Sequence, residues 1–175
     1  MMYSSIPLTY AIIMFIIIII VILISLPHLK GAPWIPTRMK KVREMLSLAE
    51  IEPGEVVYDL GCGDGRIIVS AARKFQAKAV GIEINLILFF WCQILTTVLG
   101  LRKKVKLIYG NFFKVDLSNA DLVICYLLQD TNDKLEEKLM NELRPSAKVL
   151  SNSFLFHNLR VINEDSEKGI YIYEK

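Results

Sequence analysis

Between Asp59 and Glu83 the chain sets carboxylates among glycines, first as Asp59-Leu60-Gly61-Cys62-Gly63-Asp64-Gly65 and then as Gly81-Ile82-Glu83. Glycines let the backbone take positive φ and let a ligand approach the main chain closely. The spacing is Gly-x-Gly-x-Gly, whereas a dinucleotide fingerprint is Gly-x-Gly-x-x-Gly with a pyrophosphate at its helix N-terminus. Asp59 and Asp64 would repel a pyrophosphate and instead suit a cationic ligand carrying an amino group. Glu83 lies about twenty residues further on, where an acid accepts hydrogen bonds from ribose hydroxyls. A nucleoside bearing a positive charge fits all three positions.

These residues need strands that end where they stand. Val56–Leu60 is a short apolar run that reads as a strand, and Gly65 to Phe75 reads as a helix with Ile67, Ile68, Ala71 and Ala72 on one side. Ala77 to Ile84 reads as the second strand. Asn85 then caps a helix to Leu99, which stops at Gly100. Further strands are expected at 104–109, 121–127 and 148–154, a helix at 131–143 with Leu135, Leu139 and Leu143 on one face, and a closing hairpin from 160–163 and 170–174. Upstream, Thr37 is placed to cap a helix to Ala49, with Met39, Val42, Met45, Leu46 and Ala49 at helical spacing. Strands alternating with helices predict an α/β, Rossmann-like sheet, mostly parallel with a C-terminal antiparallel hairpin. In such sheets ligands sit beyond the carboxyl ends of the strands, where the glycine turn falls.

"DLGCGDGR" followed by "AVGIEIN" resembles the first two motifs of class I S-adenosylmethionine-dependent methyltransferases, a resemblance that covers roughly residues 56–154. It implies S-adenosyl-L-methionine as cofactor and S-adenosyl-L-homocysteine as product. By the same resemblance, Gly61, Cys62, Gly63 and Gly65 lie against the methionine part, with Asp59 or Asp64 near its ammonium. Glu83 and Asn85 stand at the end of the second strand, Glu83 on the ribose. Asn111 would meet the adenine amino group and Phe112 would flank the ring. The family often has Asp at position 111, and Asn retains the acceptor but not the charge.

The Asn/Asp-Pro-Pro-aromatic tetrapeptide of amino-group methylation on nucleic acids is missing, and "CYLLQD", 125–130, stands in its place. No nucleic-acid partner is expected. The stem "GAPWIPT", 31–37, and "LRPSAKVLSNSF", 143–154, resemble the membrane-anchored protein-lysine methyltransferases that act on a component of ATP synthase and on the adenine nucleotide carrier. That resemblance implies a lysine acceptor on a membrane or membrane-associated protein. Trp34 as a wall, Tyr126 as a hydrogen-bond partner of the amine and Asp130 as a proton acceptor are the candidates on the acceptor side. A lipid or quinone headgroup is the alternative acceptor, and a non-catalytic, membrane-tethered cofactor-binding module is the alternative class.

The N-terminal segment Leu8 to Leu26 carries no charge and is bracketed by Pro7 and Pro27. About 20 apolar residues cross a bilayer as a helix, whereas a signal peptide has an apolar core of about 7–15 residues behind basic residues. A single retained transmembrane helix is expected, giving an anchor at 1–29, a linker and amphipathic helix at 30–54, and a methyltransferase domain at 55–175. Lys30, Arg38, Lys40, Lys41 and Arg43 follow the span while the first seven residues hold no Lys or Arg, which puts the domain on the cytoplasmic side. Cys62, Cys92 and Cys125 form no Cys-x-x-Cys pair, and with only His28 and His157 beside them neither a disulfide framework nor a metal site is indicated. The helix 86–99 is apolar nearly all round, so burial in the core is expected, with contact to the bilayer as the alternative.

Overall fold

The structure, a computed structural model, describes residues 7–25 and 35–175. Its elements in chain order are α1 (Leu8–Ser25), α2 (Met39–Leu48), β1 (Val56–Leu60), α3 (Arg66–Lys74), β2 (Lys78–Glu83), α4 (Leu86–Val98), β3 (Val105–Tyr109), β4 (Leu122–Cys125), α5 (Gln129–Glu142), β5 (Lys148–Asn152), β6 (Arg160–Asp165) and β7 (Ile170–Glu174). The strands form one seven-stranded sheet in the order β3-β2-β1-β4-β5-β7-β6. Neighbours from β3 through β5 are parallel, and the β6–β7 hairpin adds antiparallel to β5. This is the expected α/β, Rossmann-like arrangement, with its boundaries shifted by a few residues.

The order reverses between β1 and β4, so the carboxyl ends of those two strands diverge into a crevice. One layer of core lies between the sheet and the helices α2 and α3, where Val42, Met45 and Leu46 meet Ile68, Ala71 and Ala72. The other lies under α5, where Leu135, Leu139 and Leu143 pack on Leu60, Val123 and Val149. Each fully buried Leu or Ile contributes about 1.5–3 kcal/mol relative to exposure. The helical spacing read from the sequence therefore marks the packed faces of α3 and α5 correctly. The start of α2 differs: Arg38 is the N-cap residue, without a side-chain cap, and the Thr37 carbonyl instead accepts from Arg66.

One further expectation is revised. Helix α4 is not a core helix: only Cys92 and Thr96 are buried, and Leu86, Phe90, Trp91, Ile94 and Val98 are exposed. Apolarity all round shows that a helix seeks cover, but not that this chain supplies it. As for the span, α1 has 18 residues, about 27 Å at 1.5 Å each against a hydrocarbon core of about 30 Å. Among the described residues no helix is long and apolar enough to cross a membrane.

Candidate active site

Strand β1 delivers Asp59 to the crevice and then turns. The Gly61 and Cys62 backbone N–H groups both donate to the Ile82 carbonyl, at 2.9 and 3.0 Å, which locks the turn to β2. Gly65, at φ +82°, closes it by donating to the Cys62 carbonyl at 2.9 Å and starts α3. A Cβ on Gly65 would stand 2.3 Å from Cys92 Sγ, so glycine is required there by both conformation and space.

Glu83, at the end of β2, organises the turn from the other side. Its Oε2 accepts from the Gly63 N–H at 2.8 Å and its Oε1 from the Asn85 N–H at 2.7 Å. The carboxylate is buried, and burial raises its pKa while these backbone donors pull it back. A carboxylate has about four lone-pair sites, so two backbone bonds leave capacity for a ligand hydroxyl. Asn85 is the N-cap of α4, its Oδ1 accepting from Ile87 and Leu88.

The two aspartates near the turn part company. Asp64 is paired with Arg66, whose Nε lies 2.9 Å from Oδ1, and Arg66 also donates through Nη1 to the Thr37 carbonyl at 2.5 Å. Asp59 is 3% exposed, and its Oδ2 has no hydrogen-bond partner among the described residues. Burial first, then the charges of Glu83 and Asp64, push its carboxyl up to about 8. A buried carboxylate oxygen without a donor calls for a cation or a hydrogen-bond donor. Asp59 and Glu83 both line a cleft of about 250 Å³ at the end of β1.

The rim of that cleft is apolar, with Ile35, Leu88, Phe112 and Phe113, the two phenylalanine rings lying 4.8 Å apart. Asn111 lines it too, but its Oδ1 accepts from the Phe113 N–H at 2.9 Å and caps a single 3-10 turn, Phe112–Lys114. On the acceptor side Tyr126 is half-buried in the lining, whereas Asp130 is exposed in the first turn of α5 and does not line the cleft. Trp34 lies outside the described residues. Thr131 and Lys134 of α5 line the cleft and were not expected to; their place in the first two turns of the helix that follows Tyr126 was the available signal. Arg66 was also missed, although it directly follows Asp64-Gly65. His157 is exposed, 4.0 Å from Asp133. All three cysteines are buried and unpaired as disulfides, and among the described residues no group of His, Cys, Asp or Glu is arranged to hold a metal ion.

Comparison with known proteins gives the geometry its context. Residues 59–163 match the family model described as the ANTKMT methyltransferase domain. A protein-lysine N-methyltransferase of Saccharolobus islandicus is 42% identical over 154 residues, covering 84% of this chain and 94% of that protein. An adenine nucleotide translocase lysine N-methyltransferase of Mus musculus is 29% identical over 145 residues, covering 81% of this chain but 62% of the mouse protein. Among solved structures, an RNA methyltransferase of Salinibacter ruber in complex with S-adenosyl-L-homocysteine superposes with a TM-score of 0.74 at 36% identity, covering 79% of this chain and 91% of that one.

Proposed function

The chain belongs to the ANTKMT methyltransferase domain family, and from that premise we propose that it is a protein-lysine N-methyltransferase whose acceptor is a membrane or membrane-associated protein. It is an S-adenosyl-L-methionine-dependent methyltransferase. The observation that carries the acceptor class is the 42% identity to the Saccharolobus protein-lysine methyltransferase, which runs through nearly the whole of that relative.

The residues present fit the cofactor. Asp59, with one buried carboxylate oxygen lacking a donor, would take the ammonium. The glycine backbone from 61 to 65 leaves room for the methionine part, and Glu83, already fixed by two backbone donors, would take the ribose through its remaining lone pairs. Phe112 would flank the adenine, with Asn111 at its edge. Asp64 is committed to Arg66, so its role is to hold residue 37 against the turn. When bound, the cofactor supplies a sulfonium-borne methyl group as electrophile.

The chain's own task is then to present a neutral amine in line. A lysine has a reference pKa of about 10.4, and an apolar surround beside a positive charge lowers it. Ile35, Phe112 and Phe113 make that apolar surround at the cleft rim. Holding the nucleophile about 3–3.5 Å from its target, with Tyr126 as hydrogen-bond partner of the amine, supplies most of what the reaction asks of the protein. Asp130 stands outside the lining, and for it to accept the proton a water must connect it to the cleft.

The anchor reading is part of the proposal. It is supported by the uncharged sequence from Leu8 to Leu26, by the exposure of Ile12, Phe15, Ile16 and Ile19 on α1, and by the basic residues that follow. Those basic residues support a catalytic domain on the cytoplasmic side. The Salinibacter RNA methyltransferase supports a second reading, with RNA as acceptor.

The test is methyl transfer from labelled S-adenosyl-L-methionine into native membranes and total RNA, with the label sorted into protein, lipid and RNA. Label on lysine, mapped by mass spectrometry and absent with Asp59→Asn, is the expected result. Label confined to RNA or lipid contradicts the reading.

A further inference from the structure

Helix α4 is, among the described residues, the one packed helix of the domain that keeps a wide apolar stripe bare. Leu86 is 49% exposed, Phe90 52%, Trp91 56%, Ile94 61% and Val98 77%. These positions recur at three- and four-residue spacing and so form one stripe along the outer side of the helix. Helix α4 contains no charged residue, and the thirteen residues make it about 20 Å long. Helix α1 does not cover the stripe, because its own described apolar side chains are exposed as well.

The surroundings of the stripe identify what it meets. From Ile84 to Val115 the chain holds no Asp or Glu, while Arg102, Lys103, Lys104, Lys106 and Lys114 are all basic. Arg102, Lys103 and Lys104 are exposed immediately beyond the C-terminal end of α4, and Arg102 is held there by its Nε bond to Thr97 Oγ1 at 2.9 Å. The other end of the helix opens on the cleft: Ile84 and Leu88 line it and Asn85 caps the helix beside it. An apolar stripe with exposed Trp and Phe, in a segment from 84 to 115 that has no Asp or Glu and edged by cations, is the pattern of a helix lying in a membrane interface.

We propose that the outer face of α4 docks on an anionic lipid bilayer, with Phe90, Trp91, Ile94 and Val98 at the headgroup–acyl boundary and Arg102 and Lys103 on lipid phosphates. Such docking lays the helix along the membrane and turns the Ile84–Leu88 end, and with it the cleft mouth, toward the bilayer surface. A lysine at the membrane surface is then within reach without leaving its protein's membrane setting. The surface extends the anchor proposed above, since a single span by itself does not set the orientation of the domain on the membrane.

The test uses the full chain with Trp34→Phe, which leaves Trp91 as the sole tryptophan. The protein is reconstituted into phosphatidylcholine vesicles containing phosphatidylglycerol, with and without brominated acyl chains, and cofactor binding and thermal melting verify the fold of each variant. The expected result is blue-shifted Trp91 emission that the brominated lipid quenches, quenching that is lost in Ile94→Glu. In Arg102→Gln/Lys103→Gln, partition of the face should weaken about fivefold per basic residue removed on anionic but not on neutral vesicles. Water-like, unquenched Trp91 emission in a chain that floats with the vesicles overturns the surface and leaves the anchor standing. Blue-shifted but unquenched emission overturns it too, because α1 or a second copy would then be the cover. A chain that does not float overturns both the anchor and the surface.

Discussion

On one side of the cleft, the Glu83 oxygens accept from two backbone N–H groups, the glycine turn is tied to Ile82, and Asp59 is 3% exposed. On the other, Tyr126 is half-buried, Asp130 is exposed and Lys134 reaches the rim from a solvent-facing position. The side proposed for the cofactor is the more preorganised, since both Glu83 oxygens are held by backbone N–H groups and Asp64 by Arg66 before any ligand arrives. The side proposed for the acceptor is open, which suits a partner that brings much of its own surface. Substitutions should therefore matter in proportion to how tightly the fold holds the group they remove.

The largest effect is expected from Asp59→Asn. S-adenosyl-L-methionine affinity should fall at least about 30-fold, the low end of the loss when one member of a buried charge pair is removed. The same change should stabilise the ligand-free protein. The Asp59 carboxyl is raised from 3.8 to about 8, so the native state holds a proton that the unfolded chain releases. Stability from this group is fully present below the unfolded value and is lost as pH rises toward 8. Melting at pH 8 should show Asp59→Asn above wild type, by about 2–4 °C for each kcal/mol gained. If the variant binds as tightly as wild type, the assignment of the ammonium to Asp59 is wrong.

Glu83→Gln comes next. Glutamine offers one acceptor where two buried N–H groups need two, and an unsatisfied buried donor costs about 1–3 kcal/mol. Lower Tm together with weaker binding of the nucleoside is expected. Unchanged Tm would show that the turn stands without the carboxylate.

Tyr126→Phe probes the open side. It should lower kcat by no more than about tenfold, the scale of one hydrogen bond, and leave cofactor affinity alone. Steady-state kinetics separates the two. Asp130→Asn should have the smallest effect, less than about twofold in kcat/KM, because an exposed charge outside the lining gains little from position. A large loss there would mean that the acceptor side closes around its substrate.

The same contrast governs what the sequence disclosed. The first strand, the glycine turn and Glu83 are contiguous or nearly so, so their convergence on one cleft was legible. The hairpin of β6 and β7 and the faces of α3 and α5 were legible for the same reason, because their periodicity is local. The Asp64–Arg66–Thr37 link was not, since it joins positions 29 residues apart. Asn111 was expected at the adenine amino group, and the structure shows its oxygen on the Phe113 N–H. The burial of α4 was misread because hydrophobicity records the need for cover and not the identity of the cover. Lys134 and Thr131 gave too weak a pattern on an otherwise charged helix.

The most direct test of the account is calorimetric titration of the cofactor into wild type and Asp59→Asn at pH 7, each in two buffers of different ionisation enthalpy. A cation brought beside Asp59 lowers its pKa from about 8, so wild type is predicted to release about one proton per cofactor bound and to lose up to about tenfold in affinity for each pH unit below 8. Asp59→Asn should bind weakly and release none. Tight binding by wild type with the same heat in both buffers, and no pH dependence below 8, would contradict the claim that Asp59 is the group that receives the cofactor's charge.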